Sequence, residues 1–393
     1  MADPFRTFRV LRKLPESSVI TSFHLVPADD GPLFSARPGQ YLTLRVPLPD
    51  GTVLRTYSLS NAVDAPDVHR ISVKRETLGS VWLHEHLAEG DQIEIAAPRG
   101  AFHLDESDDR PVLLLAGGVG LTPLLSILHR IAAGRRRAWF IQAAENGDVH
   151  ALRDEVAGLA AASDGRILSR TVYRHPTEAD RAARRFDAEG EIDRALLQSL
   201  LPLDDYQVYL CGPTPFMVAM WRLLTSLGIT PERIAYEFFG KGGSLAALAA
   251  EKPDAAPRPT NVTPRNAPKA LAGLEFLTDP DARGVPETAP LVATARGAAG
   301  GAPVTAAESD ADTVVFARSG ISAAWDGEGS ILELAEAAGL SPEFSCREGI
   351  CNTCITRLKE GSVEYRLDPL DPPPTGQVLI CCSRPVGRVV LDL

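Results

Sequence analysis

The sequence lacks any apolar run close to the ~18 residues that a membrane-spanning helix needs, so we expect no membrane span. It also lacks an excess of cations: 40 Lys and Arg stand against 51 Asp and Glu, a net charge of −11, which argues against nucleic acid as a partner. The first residues, Met-Ala-Asp-Pro-Phe-Arg, contain no charged stretch followed by an apolar one, so no secretory signal is visible. We therefore expect a cytoplasmic protein without a nucleic-acid or membrane partner.

Cysteine is scarce, at six in 393 residues, and without a secretory signal this makes a disulfide framework a poor interpretation. Five of the six nevertheless gather near the C-terminus: Cys346, Cys351 and Cys354 have C-x4-C-x2-C spacing, and the adjacent pair Cys381 and Cys382 follows. This is the spacing of plant-type 2Fe–2S ferredoxins, in which a distant fourth thiolate completes the cluster. Structural zinc, the alternative, usually uses two C-x2-C pairs, and only one is present here.

Residues 1–105 contain short alternating segments separated by turn signals such as Pro49-Asp50-Gly51. Six strands at this close spacing predict a closed antiparallel barrel. The predicted strands are Phe5–Lys13, Val19–Pro27, Gln40–Val46, Leu54–Ser60, His69–Arg75 and Gln92–Ala97.

In residues 106–240 apolar strands alternate with amphipathic helices, which predicts a doubly wound parallel sheet. The predicted strands are Val112–Ala116, Ala138–Ala143, Arg166–Tyr173, Tyr206–Leu210 and Ile234–Phe239. The helices between them are predicted over Leu124–Ala133, His150–Ala162, Asp193–Leu200 and Phe216–Leu227.

Residues 241–311 are rich in Ala, Pro, Gly and Thr without sustained periodicity, and we interpret them as a linker between domains. In residues 312–393 a predicted hairpin precedes a helix that Ser330 and Glu333 open as a capping box. The cysteine loop follows, and then come predicted strands near Ile355–Leu358, Val363–Tyr365, Gln377–Cys381 and Val389–Leu391. These elements suit the small β-grasp fold of ferredoxins. The predicted fold is therefore multidomain: an antiparallel β-barrel, an α/β doubly wound domain and a β-grasp domain.

Two features of the first domain are candidates for cofactor binding. On a predicted barrel strand, Arg55-Thr56-Tyr57-Ser58 offers an aromatic ring to an isoalloxazine, and an Arg and a Ser to phosphate or ring polar atoms. Ser80 opens the predicted helix Val81–Leu87 and could cradle a phosphate, although simple N-capping explains it equally well. Neither signal is specific by itself.

Glycine-rich turns end two predicted strands on one edge of the parallel sheet. The Gly117–Gly120 turn lies between a buried strand and a helix, and Cys211-Gly212-Pro213 ends a later strand. Nucleotide phosphates bind at this edge in doubly wound sheets. We place Cys211 near a nicotinamide, with a buried structural thiol as the alternative.

Taken in this order, the motifs resemble the ferredoxin–NADP reductase superfamily, in particular the reductase half of flavohaemoglobins, and residues 312–393 resemble plant-type ferredoxins. The resemblance implies flavin contacts at Tyr41, Arg55, Thr56, Tyr57, Ser58 and Ser80, with Phe239 shielding the flavin and Glu237 beside it. The implied pyridine-nucleotide positions are Gly118, Gly120, Thr122, Cys211, Gly212 and Pro213, and the implied cluster ligands are Cys346, Cys351, Cys354 and Cys381.

The fourth ligand is assigned to Cys381 rather than Cys382 because it ends the apolar run Val378–Ile380, as the matching ferredoxin ligand does. On strand alternation Cys382 would then point the other way. The sequence departs from these families at two places. Glu76–Ser80 is about two residues shorter than in flavohaemoglobins, so FMN remains an alternative to FAD. Asn352 stands where ferredoxins usually have a smaller residue.

The whole chain resembles the reductase components of two-component oxygenases. We expect an NADH-dependent flavin and iron–sulfur reductase that passes electrons to a separate acceptor protein, an oxygenase, with cofactors and not side chains performing the chemistry. A stand-alone diaphorase and a redox-sensing module are the alternatives. NADH is expected over NADPH because the segment Ala143–Val149 is acidic and has no cation, while Arg174 is the one residue that could favour NADPH.

Overall fold

The structure is a computed structural model and describes residues 5–49, 51–64, 66–239, 245–250, 312–344, 347, 349, 352–369 and 372–393. The predicted linker, 241–311, lies outside the described residues except for 245–250. None of the helices among the described residues is long and apolar enough to cross a lipid bilayer.

Residues 5–99 form the predicted antiparallel barrel. Its strands are β1 (Phe5–Pro15), β2 (Ile20–Pro27), β3 (Tyr41–Leu48), β4 (Gly51–Ser58), β5 (His69–Lys74) and β6 (Gln92–Arg99), and its helix is α1 (Leu78–His86). The sheet runs β4-β3-β6-β1-β2-β5, and a backbone bridge from Leu59 to Ile71 brings the two outer strands together. Alternating apolar residues, among them Phe8, Phe23 and Leu42, fill the interior.

The second domain is the predicted doubly wound sheet. Its strands are β7 (Val112–Gly117), β8 (Ala138–Ala144), β9 (Ile167–Tyr173), β10 (Ala188–Glu189), β11 (Gln207–Cys211) and β12 (Ile234–Glu237). Its helices are α2 (Leu121–Ala132), α3 (Arg153–Ala161), α4 (Glu178–Ala183), α5 (Arg194–Leu200) and α6 (Thr214–Ser226). The parallel order β10-β9-β8-β7-β11-β12 reverses at β7, so a crevice opens at the carboxyl ends of β7 and β11.

Sequence patterns missed α4 and β10, because residues 174–190 are polar and show no apolar periodicity. A capping box between Thr177 and Asp180 opens α4 and was the available signal. A further short helix, α7 (Leu245–Ala250), lies just inside the predicted linker and packs on α6. Leu245 is buried there in the same core as Trp221, and Arg222 Nε donates to the carbonyl of Ala249 at 2.8 Å.

The C-terminal domain is the predicted β-grasp fold. It contains β13 (Thr313–Phe316), β14 (Ile321–Ala324), α8 (Ile331–Ala337), β15 (Ile355–Tyr365), β16 (Gln377–Leu379) and β17 (Ser383–Leu391), in the order β14-β13-β17-β15-β16. The Ser330–Glu333 capping box opens α8 as predicted. Two predicted short strands, 355–358 and 363–365, are one strand with irregular register, which bends at Gly361. A Cβ there would lie 2.3 Å from the Arg388 carbonyl oxygen, so only glycine fits.

Candidate functional site

The Arg55–Ser58 motif occupies the end of β4, as predicted. Ser58 pairs with Tyr41 of β3, and Thr56 pairs with Thr43. The ring of Tyr41 is buried and packs on Gly100, where a Cβ would come within 2.9 Å of Tyr41 Cε1. Burial raises the pKa of Tyr57, against a smaller opposing effect of the Arg55 charge, so its phenol keeps its proton. The strand end therefore presents neutral hydroxyls and one guanidinium.

Arg55 lies against the first turn of α1. A Cβ on Gly79 would be 3.0 Å from Arg55 Cγ, so the arginine stem packs closely across the first turn of the helix. The amide N–H groups of a first helical turn have no partners within the helix and attract anions, and a guanidinium beside them adds a positive charge. This cradle fits a phosphate or diphosphate, which is the part that distinguishes FAD from an unphosphorylated flavin.

The helix start was predicted wrongly, and the error changes the role of Ser80. α1 begins at Leu78 with Thr77 as its N-cap, three residues before the predicted start at Val81. The Ser80 hydroxyl accepts hydrogen bonds from the backbone N–H groups of Glu76 and Thr77, both at 2.9 Å. The Ser80 side chain thus stabilises the start of the helix. An anion would then be bound by backbone N–H groups of the first helical turn and not by the Ser80 hydroxyl. Thr77 followed by a hydroxyl three residues later was the missed signal.

The glycine turn after β7 is a single 3-10 turn over Gly118–Gly120 that leads into α2. Gly118 has φ of 53°, and a Cβ on it would meet nothing within 4 Å, so this face of the turn is open. Thr122 is buried and donates from its hydroxyl to the carbonyl of Val119 at 3.1 Å. The turn therefore offers backbone, without side-chain bulk, to a nucleotide.

The two glycine-containing turns meet, as predicted. A Cβ on Gly120 would lie 2.2 Å from the Cys211 carbonyl oxygen, and a Cβ on Gly212 would lie 3.0 Å from Gly117 Cα. Pro213 is the N-cap of α6 and ends this contact region. Parallel pairing of β7 with β11 sets Cys211 opposite Ala116 and so produces the approach. Larger side chains would force the turns apart.

A hydrogen bond between the two domains connects β4 to the strand beside the nucleotide turn. Ser58 Oγ, on β4, donates to Glu237 Oε2, on β12, at 3.4 Å, and Glu237 pairs in register with Cys211. Burial, together with the Glu237 charge, raises the pKa of Cys211 well above its usual range, so this thiol stays protonated. Next along the chain, Phe238 is buried, whereas Phe239 is 43% exposed. An exposed ring at this point is available to cover a planar cofactor.

In the C-terminal domain Cys354, Cys381 and Cys382 are buried in one core cluster, at 3%, 6% and 3% exposure. The other two predicted cluster ligands, Cys346 and Cys351, lie outside the described residues. β16 ends at Leu379, so the cysteine pair occupies a turn and the argument from strand alternation does not apply to it. Buried thiols on two approaching segments are a donor set suited to iron–sulfur or zinc.

Two described residues of the cysteine loop, Arg347 and Gly349, lie against α8 and against that turn. Gly349 has φ of 68°, and a Cβ on it would lie 2.7 Å from Cys382 Sγ. Arg347 binds Glu336 of α8 through both guanidinium NH2 groups, at 2.7 and 3.0 Å. Asn352 has φ of 57°, a left-handed conformation that asparagine tolerates better than most residues, which explains the departure noted in the sequence.

The comparisons agree with this geometry. The family model of the oxidoreductase NAD-binding domain matches residues 114–222, and that of the 2Fe–2S iron–sulfur cluster binding domain matches residues 315–386. The flavohemoprotein of Bacillus subtilis (strain 168) is 42% identical over 246 residues, which cover 62% of this chain and 61% of that protein. The chain thus spans about three fifths of the length of the curated relatives that it matches.

A solved structure decides the family. The flavohem-like FAD/NAD-binding domain of nitric oxide dioxygenase from Vibrio cholerae O1 biovar El Tor is 36% identical to this chain, with a TM-score of 0.54. The match covers 60% of this chain and 98% of that one. The chain belongs to the flavohem-like FAD/NAD-binding reductases. It also shares the fold of phthalate dioxygenase reductase, at 24% identity and a TM-score of 0.53, with 99% of this chain and 98% of that chain covered.

As a flavohem-like reductase followed by a ferredoxin-type domain, the chain has the modules that the sequence predicted, and the predicted cofactors FAD, NADH and a 2Fe–2S cluster agree with them. Sequence reasoning missed one charged group that ties the reductase together. Arg70 of β5 binds Glu155 of α3 at 2.7 and 2.8 Å, and His129 Nε2 of α2 lies 2.6 Å from the same carboxylate. No local pattern signals three residues this far apart in the chain.

Proposed function

We propose that this chain is an NADH-dependent reductase that delivers electrons through its 2Fe–2S domain to a separate protein, an oxygenase component. The contact of Ser58 with Glu237 carries the proposal, since it brings the flavin strand to the strand beside the nucleotide turn. Bound FAD would take a hydride from NADH as an electron pair and give up electrons singly, as a 2Fe–2S cluster requires. The chain's own residues supply binding, orientation and exclusion of water.

Each of those roles falls to a residue with a suitable environment. Arg55 and the first turn of α1 would hold the flavin phosphates, and Ser58 with Glu237 would bind polar atoms of the flavin ring. The open turn at Gly118 lets the nucleotide phosphates approach the backbone. Cys211, a protonated and fully buried thiol, supports the nucleotide turn from beneath and is not a nucleophile.

The preference for NADH rests on charges near the end of β9. Arg174, the cation that the sequence suggested for a 2′-phosphate, is paired with Glu191 at 3.3 Å, and Glu145 pairs with His175 beside it. A phosphate would have to compete with these carboxylates. We expect kcat/KM for NADH to exceed that for NADPH; a clear preference for NADPH would contradict this part of the proposal.

The acceptor is proposed from the domain order shared with phthalate dioxygenase reductase over almost the whole chain. The test is to measure NADH oxidation by the purified full-length protein, first with ferricyanide and then with oxygenase components freed of their own reductases. We expect steady turnover with ferricyanide and NADH-dependent product formation with at least one oxygenase class. Turnover with ferricyanide but with no oxygenase would favour the stand-alone diaphorase, and no turnover at all would favour a redox sensor.

A further inference from the structure

A cationic cavity lies on the α3 side of the parallel sheet, away from the residues assigned to the flavin and nucleotide. Its volume is about 240 Å³, and it is enclosed by the middle of β8 and β9, by α3 and by the segment 184–187 that follows α4. Four guanidinium groups line it, from Arg153, Arg170, Arg184 and Arg185. The protein as a whole is acidic, with a net charge of −11, so a cavity with four arginines is a local concentration of positive charge.

These four arginines are not occupied elsewhere. In the part of the chain that the structure describes, none of them makes an ion pair with a carboxylate, and Arg170 donates only to the neighbouring Ser169 carbonyl, at 2.8 Å. Asp187 is the one acidic residue of the lining, and its Oδ2 accepts from the Thr171 backbone N–H at 2.7 Å. The lining therefore has an excess of three positive charges. Such a cavity favours a multiply charged anion.

Two buried uncharged donors point to the same ligand. Gln142 is 2% exposed and His150 is 7% exposed. Among the described residues, neither Gln142 Nε2 nor His150 Nε2 has a hydrogen-bond partner. His150 Nδ1 lies 2.9 Å from the Tyr173 hydroxyl. If that hydroxyl donates, the ring proton lies on Nε2, which is then a donor. Buried donors rarely stay without an acceptor, and both of these line the cavity.

The cavity differs in position from the nucleotide turn. Gln142 and Thr171 pair with each other two residues before the ends of β8 and β9, and Phe140 and Ser169 lie two residues further back. At ~3.3 Å per residue the cavity extends to about 13 Å below the carboxyl edge where Gly118 lies. It is also smaller than the ~300–1,000 Å³ of most cofactor sites, so its ligand is small.

We propose that this cavity is a second ligand site, which binds the phosphoryl group of a small phosphorylated molecule distinct from FAD and NADH. A phosphoryl group offers three oxygens and two negative charges, which matches a set of several guanidinium groups and two neutral donors better than a single carboxylate does. The uncharged part of the ligand would rest on Phe140 and the stem of Arg153.

The test is calorimetric titration of the full-length oxidised protein with inorganic phosphate and pyrophosphate at fixed ionic strength, with NAD⁺ saturating so that the nucleotide site is filled. We expect saturable binding by the wild type and at least tenfold weaker binding by Arg153→Gln and by Gln142→Leu, because each variant removes donors aimed at the ligand. Arg135→Gln is the matched control: it removes the same charge from an exposed turn outside the cavity. Its binding should equal that of the wild type.

Four results would contradict the proposal. One is the absence of saturable binding by the wild type at millimolar probe, and another is equal weakening by Arg135→Gln, which would mean general surface attraction. The third is an Arg153→Gln variant that binds pyrophosphate normally but has a raised KM for NADPH, which would assign the cavity to the nucleotide. Tighter binding of citrate than of either phosphate would contradict the phosphoryl assignment. The calorimetric measurements do not depend on electron transfer, and only the KM for NADPH needs the working reductase.

Discussion

The adjacent cysteines Cys381 and Cys382 lie in one buried turn, and the contacts of Cys382 Sγ bear on which of them binds the cluster. Cys382 Sγ donates to the Leu379 carbonyl at 3.6 Å and lies under Gly349, so it is already covered by backbone. We expect Cys381→Ser to lose the cluster and Cys382→Ser to keep it, measured as iron, acid-labile sulfide and visible absorbance of protein made anaerobically. The reverse result would exchange the two assignments, and zinc in place of iron would contradict the ferredoxin interpretation.

His69 should make the barrel less stable in acid. It is fully buried between Phe8 and Phe34, with ring centroids 6.0 and 6.3 Å away, and neither ring nitrogen has a partner among the described residues. Burial lowers the pKa of His69 to about 4. Between pH 6.5 and 4 the unfolded chain therefore binds a proton that the folded chain does not, so stability falls as pH falls.

Over this range the free energy of unfolding should fall by about 1.4 kcal/mol per pH unit for one such histidine. His69→Phe should remove this dependence while keeping the ring contacts, which urea unfolding at pH 7.5 and pH 5 would measure. His150, whose pKa burial also lowers to about 4, leaves a remaining slope in the variant. An unchanged slope in His69→Phe would show that His69 finds a proton-binding partner in solution.

Among elements, α3 is tied to the barrel through Glu155. Burial raises the pKa of this carboxyl, but hydrogen bonds from His129 and Arg70 outweigh burial and lower it to about 2. Glu155→Gln leaves the Arg70 guanidinium, whose side chain is 11% exposed, without its anion. We expect a loss of about 2 kcal/mol in the free energy of unfolding, less than the ~3–5 kcal/mol of a fully buried pair because Glu155 is partly exposed.

The matched control is Glu94→Gln, since Glu94 pairs with Arg45 at 3.3 Å on the barrel surface and should contribute under ~1 kcal/mol. In the wild type the ionised Glu155 stabilises the folded state above about pH 4.5. This contribution to the free energy of unfolding is lost as pH falls toward about 2. Equal losses in the two variants at pH 7 would mean that the charges between the domains do not hold α3 and the barrel together.

The packing of α7 on α6 is a second test at this scale. Leu245 is fully buried, so Leu245→Ala should remove about 2–3 kcal/mol of packing and free the helix. Leu203→Ala is the control, because Leu203 is fully exposed and should change stability by less than ~0.5 kcal/mol. Hydrogen exchange of residues 245–250 measures the effect, and slow exchange in Leu245→Ala would contradict it.

At the scale of the whole molecule, the proposed division of labour predicts how the chain can be cut. A fragment ending at Ala250 keeps α7 and should fold, bind flavin and reduce ferricyanide with NADH. It should lose most reduction of cytochrome c and all transfer to the native acceptor, because both need the cluster domain. If the fragment reduced the acceptor as fast as the full chain, the cluster would not lie on the path of the electrons.

The sequence by itself determined most of the elements, because strand alternation and helical periodicity are local properties; α4, β10 and α7, which are short, were not predicted. It determined the three domain folds and the positions of the motifs at Arg55, Gly118 and Cys211 as well, since those motifs follow strand ends that the pattern locates. The sequence did not predict the start of α1 correctly, because a glycine and two hydroxyl residues at 77–80 suggest a turn. The sequence also did not predict that β15 is one strand. Gly361 suggests a break, but pairing with β17 keeps the strand continuous.

Only the tertiary structure decided which distant side chains meet. The Ser58–Glu237 contact, the Arg70–Glu155–His129 group and the four arginines of the cavity each join separate elements, and their members show no pattern along the chain. The physical reason is that burial and charge act through space. The pKa of a carboxyl or a thiol depends on which groups the folded chain places around it, and sequence spacing does not contain that information.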